Sequence, residues 1–225
     1  HVAGLFQRAA RSEGSLAVVG VNGVGKSTLL RTLAGLVPAT AGRVELFDRD
    51  ITNASAEARV RDGLVLVVGG AGVFRALTVD ENLRLGSWTL RRERASIEDL
   101  RSRVLELFPS LGARAAMRAE LLSGGEQQML ALAMGLMARP KVLMVDELSL
   151  GLAPVIVESL LAVLDDLRRD GLAVVVVEQS AVTAARVAEK VRTMERGRFV
   201  RSRPGATVRG TGRRPQVDGS SAPAR

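Results

Sequence analysis

The chain has 225 residues, 47% of them hydrophobic and 25% charged, a balance that suits one sizeable globular core and excludes wholesale disorder. There is no cysteine and the single histidine is His1, which excludes a disulfide framework, a thiolate metal site and a histidine base in the body. The net charge of +8 points to nucleic acid until it is located: eight arginines and one aspartate lie from Arg196 onward, leaving +1 for His1 to Glu195. The basic excess is a property of the tail, so nucleic acid is not an expected partner.

In chain order, Glu13-Gly14-Ser15 reads as a turn feeding an apolar strand from Leu16 to Val19. Gly20-Val21-Asn22-Gly23-Val24-Gly25-Lys26-Ser27-Thr28 follows, with the spacing G-x-x-x-x-G-K-[ST], and leads into a helix from Lys26 that ends at Gly35. A strand, a glycine-rich loop and a helix in this order make a phosphate cradle. Backbone N–H groups turn inward only at angles that glycine tolerates, and the helix N-terminus presents further N–H groups to the same anion. Gly20, Asn22, Gly23, Gly25 and Thr28 shape the cradle, Lys26 reaches the outer phosphates and the Ser27 hydroxyl ligates Mg²⁺. The reading is a nucleoside triphosphate site.

Gly42 to Asp48 alternates and reads as an exposed strand and turn, and Ser55 to Asp62 as a short helix stopped by Gly63. Leu64 to Val68 is an apolar run expected of a strand buried on both faces, broken by Gly69-Gly70-Ala71-Gly72. Thr78 and Glu81 have the form of a capping box, and helical patterning continues to about Met137. Within it Ile97, Leu100, Val104, Leu107 and Phe108 share a face, and Pro109 ends that element. Strands are expected at Val142 to Val145 and Ala173 to Val177, with helices at Val155 to Arg169 and Ala181 to Lys190 and a hairpin about Glu195 to Arg198. Strands alternating with helices predict an α/β fold of the P-loop class, its mainly parallel sheet flanked by helices. The expected domain spans 1–200 and includes an all-helical subdomain at about 78–137. Residues 201–225 read as a basic, disordered tail.

Val142-Leu143-Met144-Val145-Asp146-Glu147 is a strand ending in two carboxylates. Beside a phosphate loop, Asp146 can hold the Mg²⁺ shell and Glu147 can align and deprotonate an attacking water. Leu122-Ser123-Gly124-Gly125-Glu126-Gln127-Gln128 alone reads only as a helix cap. The order of the three motifs changes that reading. It resembles the nucleotide-binding subunits of ABC transporters, whose Walker A, signature and Walker B motifs look like GVNGVGKST, LSGGEQQ and VLMVDE, over roughly Gly14 to Val200. The resemblance implies ATP and Mg²⁺ as ligands and a second ATPase subunit as partner. Ser123, Gly124, Gly125 and Glu126 of one subunit would complete the ATP site of the other.

Within the family the chain is similar to ATP-binding subunits of branched-chain amino-acid importers, on Leu77 to Leu83, Met137 to Lys141, Ser149 to Pro154 and Val177-Glu178-Gln179. That implies membrane permease partners, an extracytoplasmic substrate-binding protein behind them and a peripheral place on the cytoplasmic face of the membrane. Gln179 stands where many ABC ATPases carry histidine, and it would donate a hydrogen bond to the γ-phosphate without carrying charge. Two departures qualify the match. Gly69 stands where the family has Gln or Glu, so the expectation is weakened coupling, with Gly69→Glu raising transport-linked hydrolysis. No tyrosine is available to stack on adenine, Phe6 is a poor substitute, and the first strand or two are expected to be missing. Leu148 replaces a frequent proline, and Trp88 reads as a surface or subunit contact. The alternatives are a degenerate module with little ATPase activity, the ATPase of a urea or amide importer, and an ABC ATPase acting on DNA or ribosomes.

Overall fold

The apolar strand segments read from the sequence assemble side by side in the computed structural model, which describes residues 14–69, 72–92 and 94–200. Among these residues the main sheet comprises β1 (Ser15–Val19), β4 (Leu64–Val68), β5 (Val142–Asp146), β6 (Ala173–Glu178), β7 (Lys190–Glu195) and β8 (Arg198–Val200). Their spatial order is β4-β5-β6-β1-β7-β8, parallel except for the β7/β8 hairpin. β2 (Glu45–Leu46) and β3 (Arg49–Asp50) form a separate hairpin. The helices are α1 (Lys26–Leu33), α2 (Ala56–Arg61), α3 (Val79–Gly86), α4 (Arg94–Leu107), α5 (Pro109–Gly112), α6 (Gly124–Leu136), α7 (Pro154–Arg169) and α8 (Ala181–Val187). The expected tail, the expected N-terminal loss, Phe6, Gly70 and Ala71 lie outside the described residues.

Successive residues of a strand point to opposite faces, and the core divides accordingly. Val65, Val67, Leu143, Val145, Val174 and Val176 join Leu83, Leu130 and Leu160 of α3, α6 and α7 in one cluster. Leu64, Val142, Met144, Val175, Val177, Leu16 and Val18 face the other way, onto Leu30 and Leu33 of α1 and onto the β2/β3 hairpin. The central strands are thus covered on both sides. That explains why they read as continuous apolar runs rather than as alternations.

The helical segment predicted at 78–137 shares the first cluster, through Val79, Val104, Phe108 and Leu111, and so packs directly on the sheet. Thr78 caps α3 in a complete capping box with Glu81. Three details differ from expectation. Val44 and Leu46, read as exposed, are buried, because the hairpin turn at Phe47 and Asp48 folds them under α1. Pro109 ends α4 and at once opens α5, its fixed φ suiting the first position of a helix. The last helix stops at Val187 rather than Lys190, since the backbone extends at Ala188 and Lys190 to Thr193 pair with Leu16 to Val19.

Candidate functional site

β1 is the strand on which the site is built. It lies between β6 and β7, and at its end Gly20 donates a backbone hydrogen bond to the Glu178 carbonyl at 3.3 Å. A Cβ on Gly20 would come within 2.5 Å of the Met194 carbonyl, so close approach is what requires glycine there. Gly23 and Gly25 are required by conformation instead, with φ of 81° and 103°. No side chain caps α1 at Gly25. The N–H groups of its first turn therefore remain available to an anion.

Lys26 is 4% exposed and donates from Nζ to the carbonyls of Gly20 and Val21, at 2.7 and 3.1 Å. The ammonium is thereby held over the loop that it is expected to serve. Asn22, Gly23, Gly25, Lys26, Ser27, Thr28 and Glu147 line a hollow of about 300 Å³.

From the next strands come the carboxylates. Ser27 Oγ donates to Asp146 Oδ1 at 3.0 Å, which brings together two residues that are far apart in sequence. Burial pushes the Asp146 carboxyl above its ordinary value; the Ser27 hydrogen bond opposes the rise, and the neighbouring Glu147 charge adds to it. Glu147 has a φ of 53°, and its backbone N–H donates to the Val177 carbonyl at 3.0 Å. Gln179 Nε2 donates to Glu147 Oε1 at 3.1 Å. The carboxylate read as the water-aligning base is thus oriented by the residue that follows β6.

The residues present fit a magnesium nucleotide. Ser27 and Asp146 offer two hard oxygen donors side by side, the small protein share that Mg²⁺ takes when phosphate oxygens and water supply the rest. No cluster of three or more His, Cys, Asp or Glu suited to a metal occurs among the described residues.

Ser123, Gly124, Gly125 and Glu126 are not among the residues lining the hollow. They form the N-terminus of α6, where Ser123 and Glu126 make a reciprocal capping box. Glu126 also pairs with Arg114 at 2.8 Å, and the backbone hydrogen bond from Ser123 holds its carboxyl below the ordinary range. Within this chain Glu126 therefore stabilises the helix end. Ser123 and Gly124 are exposed, with open space where a Gly124 Cβ would stand.

One residue escaped the motif reading, and another changes its meaning in the structure. Glu178, the last residue of β6, is 2% exposed and accepts from Ser149, the backbone N–H reaching Oε1 at 3.1 Å and Oγ reaching Oε2 at 2.9 Å. Burial raises its pKa above the usual value, against the pull of the Ser149 hydrogen bonds. An acidic residue closing an otherwise apolar strand was the available signal. The second is Gly69, whose N–H donates to the Asp146 carbonyl at 3.0 Å. A Cβ there would lie 2.6 Å from the Asp146 oxygen and 2.8 Å from that of Glu147. The expectation that Gly69→Glu helps is therefore revised, because the added side chain would displace the backbone that carries both carboxylates.

A phosphate loop after β1, a buried lysine above it and paired carboxylates at the end of β5, one strand removed in the same parallel sheet, define a nucleotide-binding P-loop protein. Comparison with known proteins sharpens the class. The family model described as ABC transporter matches residues 9–149, and the chain belongs to that family. It is 40% identical over 191 residues to the high-affinity branched-chain amino acid transport ATP-binding protein BraG of Pseudomonas aeruginosa, covering 85% of this chain and 81% of that one. It is 37% identical over 186 residues to a probable branched-chain amino acid transport ATP-binding protein, LivF, of Archaeoglobus fulgidus, covering 81% and 77%. Among solved structures, the ATP-binding cassette MJ0796 as a post-hydrolysis dimer with ADP and Pi superposes with a TM-score of 0.74 at 25% identity, over 84% of each chain.

Proposed function

We propose that this chain is the ATP-hydrolysing subunit of an importer for branched-chain or related amino acids. The observation that carries the reading is the convergence of Lys26, Ser27 and Glu147 on one hollow, with Asp146 bonded to Ser27 and Gln179 to Glu147 behind them. Lys26 exchanges its loop carbonyls for phosphate oxygens, and the open first turn of α1 stabilises the same negative charge. Ser27 and Asp146 would hold Mg²⁺, which when bound would supply charge neutralisation to the phosphates. Glu147 aligns water and takes its proton, and Gln179 fixes the rotamer from which it does so.

The exposed Ser123 and the N–H groups of Gly124 and Gly125 suit a phosphate presented by another subunit. Two chains placed head to tail would complete two sites, and the pair would work against permease subunits at the cytoplasmic face of the membrane. No helix among the described residues is long and apolar enough to cross a membrane. The similarity to BraG and LivF supports the substrate class.

Turnover of ATP by the purified chain, alone and with its co-purified permease, tests the reading. Glu147→Gln is expected to lower kcat by about a hundredfold or more while ATP still binds. Retained turnover in that variant would remove Glu147 from the role of base. A substrate screen on the co-purified complex tests the amino-acid assignment, and stimulation by urea or amides alone would overturn it.

A further inference from the structure

Glu178 belongs to neither the phosphate loop nor the carboxylate pair, yet three parts of the site meet at it. Its backbone carbonyl accepts from Gly20, at the start of the phosphate loop. Its side chain accepts both hydrogen bonds from Ser149, two residues beyond Glu147. The next residue, Gln179, donates to the Glu147 carboxylate, and the preceding one, Val177, accepts from the Glu147 N–H. Leu148, between the two gripped positions, is fully buried. Segments 147–149 and 177–179 are thus stitched together by four hydrogen bonds.

A carboxylate 2% exposed, with no ion pair to it among the described residues, is costly to keep. Apolar packing would be cheaper if filling space were its only role. The two donors of Ser149 compensate it, and in return they fix the segment on which Glu147 stands. Glu147 has a left-handed φ of 53°, a conformation that persists only when its surroundings hold it there.

We infer that Glu178 is a positioning residue for hydrolysis: by gripping Ser149 with both carboxylate oxygens it holds Glu147 where Gln179 and the attacking water need it. The inference rests on the ATPase reading above, and it names a residue that acts through others rather than on the nucleotide. Removal of the grip lets the 147–149 segment sample other conformers, so kcat falls more than KM rises, since misplacing a base costs transition-state stabilisation rather than binding.

The test uses the full chain and four variants: Glu178→Ala, Glu178→Gln, Ser149→Ala and the double alanine. Glu178→Ala is expected to lower kcat by about tenfold or more, with KM for MgATP changed less than about threefold. Glu178→Gln should recover activity to within about threefold, because its amide oxygen accepts from the Ser149 N–H while its N–H₂ donates to the hydroxyl. Ser149→Ala removes one of the two bonds and should cost less than Glu178→Ala. In the Glu178→Ala background it should cost under about twofold more. Amide exchange across Glu147 to Leu152 is read in parallel. It should quicken by about tenfold in Glu178→Ala and stay slow in Glu178→Gln.

Independent, multiplying effects of the two alanines, a glutamine as damaged as the alanine, or unchanged exchange in Glu178→Ala would each overturn the inference. If Glu178→Ala does not fold, faster exchange and a lowered kcat in Ser149→Ala carry the test, and their absence overturns it. Wild-type turnover abolished by Glu147→Gln checks the ATPase reading separately. The exchange arm decides the grip even in a chain that does not turn over.

Discussion

Gly69 illustrates how one residue acts through what it lacks. A family pattern reads this position as a missing ligand. The geometry makes it a close approach, with the end of β4 lying against the carbonyls of Asp146 and Glu147. Gly69→Ala is accordingly expected to destabilise the fold by about 1–3 kcal/mol, as overpacking does, and to lower turnover with it. Gly69→Glu should do the same or worse, measured as melting temperature and kcat together. A faster enzyme with unchanged melting would restore the missing-ligand reading. That Lys26, Ser27, Asp146 and Glu147 lie together was legible from the phosphate-loop spacing and from a later strand ending in two carboxylates. The Glu178 grip was not, since a lone acidic residue at a strand end has many uses and only the register against β5 places Ser149 beside it. The role of Glu126 was also hidden: a motif gives its position, whereas its contacts with Ser123 and Arg114 depend on how α6 is set.

At the scale of elements, α1 is held at both ends. Its N-terminus is open to phosphate, and its C-terminus is closed by Arg59 of α2, which is 3% exposed. Arg59 Nη1 donates to the carbonyls of Thr32 and Leu33 at 2.9 and 2.7 Å, while Nε and Nη2 reach those of Ala54 and Thr52. A cation at a helix C-terminus also favours the macrodipole, and burial lowers the pKa of this guanidinium without any acidic partner in those contacts. Arg59→Met leaves these carbonyls without their donor, and a loss of about 2–4 kcal/mol is expected in chemical denaturation. A loss under about 0.5 kcal/mol would show that water replaces the guanidinium fully. Most elements were legible because buried parallel strands and capped helices announce themselves in composition. The end of α8 was missed because Ala188 to Lys190 carries no glycine or proline, and its extension follows from pairing with β1.

For the whole molecule, the sheet places the phosphate loop and the paired carboxylates at the same ends of parallel strands, while Ser123 to Gly125 stand on a different element outside that hollow. Under the proposed head-to-tail pairing such a chain would carry two halves of a site rather than one whole, and closure of the pair by ATP would be the step that converts binding into work. Both core clusters draw on β5, whose Val142 and Met144 face one and Leu143 and Val145 the other, a division that its continuous apolar sequence does not announce. The proposed division of the site between copies has no signal in the local pattern, because a helix cap and half of a nucleotide site have the same local sequence.

The most direct measurement is subunit complementation. Lys26→Ala removes the cradle from one copy and Ser123→Arg blocks the helix tip of another, so each variant alone should be inactive. Mixed in equal amounts, half of the dimers are hybrids with one complete site, and turnover should return to about a quarter of the unmixed native rate. Activity that stays at the level of the separate variants after mixing would contradict a site shared between two chains.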